Sequence, residues 1–254
     1  MGASPSLSIF LLFLLILGVY LFYIFRARRG ATVNIRPIAG LTAIDEAIGR
    51  ATEMGKPVHF TLGMSRFYPD TFAAFAILRY IAEKCAQMGT APIITNSVVT
   101  VHLATEEILR SAYSRSDHPD AFRSDMVRFI AKDAFPYVAG ALETIESEKP
   151  AANIMVGTFG AATLLLAEGG RILGPMQIAG TDDLEQLPFY FVCCDYTLIG
   201  EEIFGAGAHL SGDPTTKGNL AGQDLMRIIL IALILLFIIF GLFGWNTPFE
   251  WFMG

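Results

Sequence analysis

Apolar positions along this chain follow three rhythms. Two runs are continuous and free of charge, Leu7 to Phe25 (LSIFLLFLLILGVYLFYIF) and Ile228 to Trp245 (IILIALILLFIIFGLFGW). Each is close to the roughly 20 apolar residues that cross a bilayer core, and both are expected to be membrane-spanning helices. Between them, short β-branched runs alternate with longer stretches in which apolar residues recur at helical spacing. LTAIDEAIGRATEMG carries Leu41, Ile44, Ile48 and Ala51 on one face and ends at Gly55. PVHFTLG reads as a strand, MSRFYPD as a loop in which Pro69 and Asp70 start a helix, and TFAAFAILRYIAEKCAQMG as that helix.

The alternation continues. TAPIITN is a second strand, with Ser97 as the expected cap of the helix SVVTVHLATEEILRSAYSRS. MVRFIAK is a third strand, followed by the helix AFPYVAGALETIESEKP, and NIMVGT is a fourth, followed by AATLLLAEGG. GPMQIAGT is a fifth. DLEQLPFYFVCCDYTLIGEEIFGAGAHL is expected to be helical, interrupted near Pro188, and GDPTTKGNLAGQD reads as a linker. Strands separated by helices predict an α/β fold, a mostly parallel Rossmann-like sheet with helices on both faces. The division is an N-terminal anchor at 1–29, an α/β domain at 30–223, and a second span with a short tail at 224–254.

Charge adds orientation. Arg26, Arg28, Arg29, Lys217 and Arg227 flank the spans on the side of the middle domain, and the outer tails hold no lysine or arginine. Positive charge marks the cytoplasmic side, so the domain is expected in the cytoplasm with both termini outside. A cleaved signal peptide would place its positive charge before the apolar run, and MGASPS has none. Trp245 and Trp251 suit a membrane interface. The net charge of -6, with no basic cluster away from the first span, argues against nucleic acid as a partner. The arginines beside that span suit anionic lipid head groups.

Several stretches, IRPIAGLTAIDEAIGRATEMGKPVHFTLG, FAILRYIAEKCAQMGTAPIIT, MVRFIAKDAFPYVAGALETI, NIMVGTFGAATLLLAEGG and LIGEEIFGAGAHL, resemble a family of uncharacterised prokaryotic membrane proteins sharing a domain of unknown function. The resemblance covers nearly the whole middle domain and reaches the flanking spans. It implies no activity.

Chemistry is sparse. Cys85, Cys193 and Cys194 form no Cys-x-x-Cys pattern and have no histidine at zinc-ligand spacing, so no metal site and no cofactor is expected. The turn Gly157-Thr158-Phe159-Gly160 offers two glycines and a hydroxyl but lacks the lysine or third glycine of a strong phosphate-binding loop, and a tight strand-to-helix turn explains the same letters. Ligands of parallel sheets bind beyond the carboxyl ends of the strands. There the candidate ligand-binding residues are Thr95, Asn96, Ser97, Asp133, Gly157, Thr158, Gly160, Thr181 and Asp182; helix capping accounts for the same residue types. Glu106–Glu107 and Glu201–Glu202 diverge on helices and read as solvated faces. Asp195 and His209 fall in the last helical region, and His59 reads as a hydrogen-bonded core histidine. His102 and His118 have no nucleophile or ligand near them in sequence.

Two readings of function follow. In the first, the protein is a non-enzymatic scaffold or assembly unit on the membrane, with the lipid bilayer and further copies or a membrane protein as partners. In the second, it is a small-molecule or nucleotide-binding sensor or enzyme using the strand-end rim. No catalytic constellation is recognisable.

Overall fold

In a computed structural model of the chain the described residues are 5–29, 39–211 and 214–242. The chain divides into two compact units, Pro37–Ser211 and a second built from Met1–Arg36 with Gly212–Gly254.

The first of these is built on a six-stranded, wholly parallel sheet. Its strands are β1 (Val58–Gly63), β2 (Pro92–Asn96), β3 (Val127–Phe129), β4 (Ala152–Thr158), β5 (Met176–Thr181) and β6 (Tyr196–Ile199), in spatial order β3-β2-β1-β4-β5-β6. The order reverses between β1 and β4, as in doubly wound dinucleotide folds. Among the described residues, seven helices belong with the sheet: α2 (Ala39–Met54), α3 (Pro69–Met88), α4 (Val99–Ser114), α5 (Ala134–Glu148), α6 (Ala162–Leu173), α7 (Leu187–Cys193) and α8 (Glu201–Ser211). Apolar residues of α2, α3, α4 and α8 pack with Phe60, Ile94, Ile154 and Ile178. Those of α5, α6 and α7 pack with Met155 and Ala179, so helices cover both faces. Burial on both sides leaves β1 and β2 with no exposed residue, and their polar members His59, Thr61, Thr95 and Asn96 are buried along with the apolar ones.

Polar residues inside this core are paired. His59 Nδ1 lies 2.7 Å from Asn153 Oδ1, and His59 Nε2 lies 3.0 Å from Thr95 Oγ1. Asn153 Nδ2 donates to Gln177 Oε1 at 2.9 Å, and Gln177 Nε2 donates to the carbonyls of Ala167 and Cys193. Because the Asn153 amide nitrogen is engaged with Gln177, its oxygen must accept from His59. The imidazole is therefore the neutral Nδ1–H tautomer, accepting from the Thr95 hydroxyl. Burial holds its pKa down at about 4. The row runs across four strands: His59 with Asn153 and Asn153 with Gln177 are register partners, and Thr95 stands diagonally to His59, two residues on from its partner Ile93. A one-residue slip of any strand would turn one member to the opposite face and leave its partners unpaired, so the row fixes register.

Two expectations are corrected. Residues 183–210 are not one interrupted helix: Pro188 stands in the first turn of α7, where its missing N–H is harmless, and Tyr196–Ile199 is a sixth strand. The stretch 214–224 is not a linker but the first part of α9 (Pro214–Leu242).

The second unit pairs α9 with α1 (Pro5–Arg28). Gly218 and Gly222 of α9 face α1: a Cβ at 218 would stand 2.8 Å from the Tyr23 carbonyl and 2.9 Å from the Ala27 Cβ, and one at 222 would stand 3.3 Å from the Tyr20 ring. Glycines four apart let two helix backbones approach, the packing used between helices in lipid. Arg28 Nε donates to Thr215 Oγ1 at 3.3 Å on the same seam. One helical segment among the described residues, Ala221–Leu242, is long and apolar enough to cross a membrane, and only 6% of its most apolar window is buried. Trp245 and Trp251 lie outside the described residues, as do the outermost tails.

Candidate functional site

The carboxyl ends of β1 and β4 mark the place where this topology usually holds a ligand. β1 ends in an irregular register on both sides, with Gly63 paired to Asn96 and to Thr158. Gly63 is left-handed (φ 62°), and a side chain there would collide with the Phe159 ring. The turn after β4 also needs its glycines, with φ of 139° at Gly157 and 52° at Gly160. Ser65 Oγ sits where a side chain at Gly157 would be, and there it accepts the Thr158 N–H at 2.8 Å.

Gln186 completes the arrangement from the start of α7. Its Oε1 accepts from Phe159 N at 3.1 Å and from the Thr163 hydroxyl at 3.1 Å, while its Nε2 donates to Asp183 at 2.9 Å. Phe159 is fully buried, edge-on to Tyr190 at 6.4 Å. Two backbone amides of the Gly-Thr-Phe-Gly turn are thus occupied by protein side chains, and an aromatic ring fills the crevice beside them.

Acidic groups surround the turn. The Thr158 hydroxyl donates to Asp70 Oδ2 at 3.1 Å, and Asp70 is buried in the first turn of α3. The Asp182 carboxyl is raised in pKa by desolvation and then by the negative charges of Asp70 and Asp183. Such surroundings oppose a phosphate.

The other candidates disperse. Thr95 belongs to the His59 row. Ser97 does not cap α4, whose N-cap is Val98; its hydroxyl donates to the Gly63 carbonyl at 2.8 Å. Thr181 Oγ1 accepts from Asp183 N at 3.1 Å. Asp133 is the N-cap residue of α5 but makes no side-chain cap, and it stands beyond β3, three strands from β4. Neither Asp133 nor Ser97 therefore fills the expected capping role. Asn96 is fully buried, and its carboxamide has no hydrogen-bond partner among the described residues. Asp195 lies in the turn before β6 and accepts from Gln177 N at 2.7 Å; the His209 side chain is outside the described residues. Among the described residues no three His, Cys, Asp or Glu side chains converge as a metal site. The structure thus gathers Gly157, Thr158 and Gly160 with Ser65, Asp70 and Gln186, and brings Asp182 near Asp70. Ser65 and Gln186 carry no local signature of this role, because their partners are 93 and 27 residues away along the chain.

Recesses open instead at the amino ends of the strands. One of 380 Å³ is lined by Thr52, Lys56, Arg123, Arg128 and Glu148. A second, of 300 Å³, is lined by Arg50, Lys56 and Lys149 with Glu146. Lys56 and Lys149 follow the carboxyl ends of α2 and α5, where positive charge complements the negative helix end, and Arg128 is paired with Glu148 at 2.5 Å.

The family model of a domain of unknown function (DUF6754) matches residues 3–252. The chain belongs to that family. The match takes in every helix and strand described above, from α1 to α9. No curated protein matches the chain, and no solved structure does.

Proposed function

We propose that the chain is a membrane-anchored, non-enzymatic scaffold or assembly unit at the inner face of the membrane. The observation that carries this reading is the filled crevice: at the switch point between β1 and β4, Phe159, Ser65 and Gln186 take the space and the amides a ligand would use. Both α1 and α9 cross the bilayer in this reading, paired through Gly218 and Gly222. Arg26 and Arg28 on α1 and Arg227 on α9 stay on the cytoplasmic side with the α/β unit, and the far ends of both helices lie outside. Lipid and further copies of the chain, or a membrane protein, are the partners.

The test is fractionation followed by surface proteolysis. The protein is expected in carbonate-washed membranes, with residues 37–211 protected from protease in intact cells and cleaved in inverted vesicles. Release into the supernatant, or digestion in intact cells, contradicts the proposal.

One observation favours a second reading, a small-molecule sensor or enzyme. The buried Asn96 carboxamide presents a donor and an acceptor with no protein partner among the described residues, at the carboxyl end of β2. In that reading a ligand saturates a binding isotherm with the wild type, and the isotherm disappears in Asn96→Leu and Asp182→Asn.

A further inference from the structure

Both helices of the second unit cross the bilayer in the reading above, on which the inference here rests, and their packing then fixes how deep each residue lies. The helices run antiparallel: Thr215 stands beside Arg28, Gly218 beside Tyr23, Ile24 and Ala27, and Gly222 beside Tyr20. Carried on one for one, that register sets Asp224 and Arg227 of α9 beside residues 15–19 of α1. These lie inside the charge-free run Leu7–Phe25, about 9–15 Å along the axis from its cytoplasmic end. α1 has 24 residues, so it crosses the hydrocarbon only with that whole run immersed. Arg227 therefore keeps to the domain's side of the charge-free run of α9 and still lies, with Asp224, below the bilayer surface.

The face that carries these charges is set by the same contacts. Gly218 and Gly222 turn toward α1, and Met226, four residues further on, is buried on their side. At about 100° per residue, Asp224 and Arg227 fall on the opposite face, about 60° apart. Both are exposed. Ile231, Ile234 and Ile238 continue that face and are exposed at 51%, 58% and 54%. Their alternating spacing of four and three residues is that of a seam between two parallel helices. Charged residues within a membrane turn to the interior of a helix bundle. Here they turn away from α1, so the α1–α9 pair is an incomplete bundle.

We propose that two copies of the chain join through this face of α9, the two α9 helices side by side and parallel about a two-fold axis along the bilayer normal. Charge complementarity identifies the occupant as a second copy. Asp224 and Arg227 flank the centre line of the face on opposite sides, so the two-fold sets Asp224 of each copy beside Arg227 of the other. The axial offset is about 4.5 Å, within reach of the long arginine stem. Two ion pairs of opposite charge result, and the face is complementary to itself, as an isologous contact requires. A single helix can join Asp224 to its own Arg227 three residues on; the second copy brings each guanidinium, with its five donors, another carboxylate. An anionic lipid headgroup would attract Arg227 and repel Asp224, whereas an identical face meets both charges with their opposites.

The test uses the full chain in lipid nanodiscs, with native mass spectra recording stoichiometry and carbonate-washed membranes confirming insertion. Asp224→Arg and Arg227→Asp, each alone, leave the seam with charges of one sign and are expected to lower the dimer fraction at least ten-fold. Coexpressed with different tags, the two variants are expected to pair with each other at close to the wild-type level, because each reversed residue then meets its opposite on the other chain. An ion pair within one helix predicts no such recovery. Ile231→Cys in a Cys194→Ser background adds no charge and decides the matter if a reversed chain fails to insert. It is expected to give a disulfide-linked dimer on mild oxidation, and Leu230→Cys, off the seam, is expected to give none. If the wild type is an oligomer that the single reversals leave intact, if the reversed chains do not recover each other, or if Ile231→Cys stays uncrosslinked, the α9 seam is wrong and the assembly reading stands. If the wild type is monomeric in native spectra, both fail.

Discussion

The Phe159 ring lies over Gly63 so closely that a Cβ on the glycine would stand 2.6 Å from two ring carbons. This contact joins the end of β1 to the turn after β4 and closes the crevice between them. Gly63→Ala adds that carbon at a left-handed position (φ 62°), next to the Thr158 carbonyl as well. The expected loss is about 2–4 kcal/mol, combining the backbone penalty with overpacking. Phe159→Ala should cost about 3–5 kcal/mol as a cavity-creating change. Denaturant unfolding of the detergent-solubilised protein checks both. If Phe159→Ala is neutral, the ring is not a packed element of the core.

His59 gives the fold a pH dependence of defined sign. Burial lowers its folded pKa from 6.5 to about 4, opposed in part by its bond to Asn153. Between these values the unfolded chain binds the proton and the folded chain does not, so stability rises with pH across the window and falls on acidification. At pH 5 the loss relative to neutral pH is on the order of 2 kcal/mol. His59→Leu should flatten this slope while lowering stability at pH 7 by about 1–3 kcal/mol, since Asn153 and Thr95 each lose a buried partner. Melting temperatures of both proteins from pH 4 to 7.5 measure the difference.

Much of the sheet is legible in the chain. The strand NIMVGT is expected at 153–158 and stands at Ala152–Thr158; PVHFTLG is expected at 57–63 and stands at Val58–Gly63. These are β-branched runs bounded by glycine or proline, so local chemistry and tertiary position agree. β6 is hidden because four residues between two helices carry too few positions to separate a period of 2 from one of 3.6. The start of α9 is hidden for a different reason. GDPTTKGNLAG has the composition of a linker, and what holds Gly218 and Gly222 in a helix is contact with Tyr20, Tyr23 and Ala27, near the other end of the chain. The filling of the crevice is equally invisible in sequence, since Ser65 and Gln186 act on Thr158 and Phe159 only after the strands have come together.

The α1–α9 seam makes a separate prediction. Gly218→Val places a branched side chain against the Tyr23 carbonyl and Ala27, and the helices must separate. Cysteines replacing Tyr20 and Gly222, where a Cβ at 222 would stand 3.7 Å from the Tyr20 Cα, should form a disulfide in the parent protein and lose most of that crosslinking with Gly218→Val. Equal crosslinking in both would show that close backbone approach is not what pairs these helices.

Ser65 offers a cleaner probe of the turn than either glycine. Ser65→Ala removes the acceptor of the Thr158 N–H while leaving the volume nearly unchanged. The expected destabilisation is about 1–3 kcal/mol for an amide left without a partner. Inorganic phosphate at millimolar concentration should restore nothing, because Asp70 and Asp182 remain beside the turn. Recovery of melting temperature by phosphate in Ser65→Ala would mean that the turn can hold an anion.

The most direct measurement is native mass spectrometry of the full chain released from lipid nanodiscs, recording stoichiometry and bound small molecules together. A complex of two or more identical chains carrying lipid and no other small molecule is the expected result. A monomer retaining a stoichiometric small molecule, lost when Asn96 or Asp182 is substituted, would contradict the assembly account.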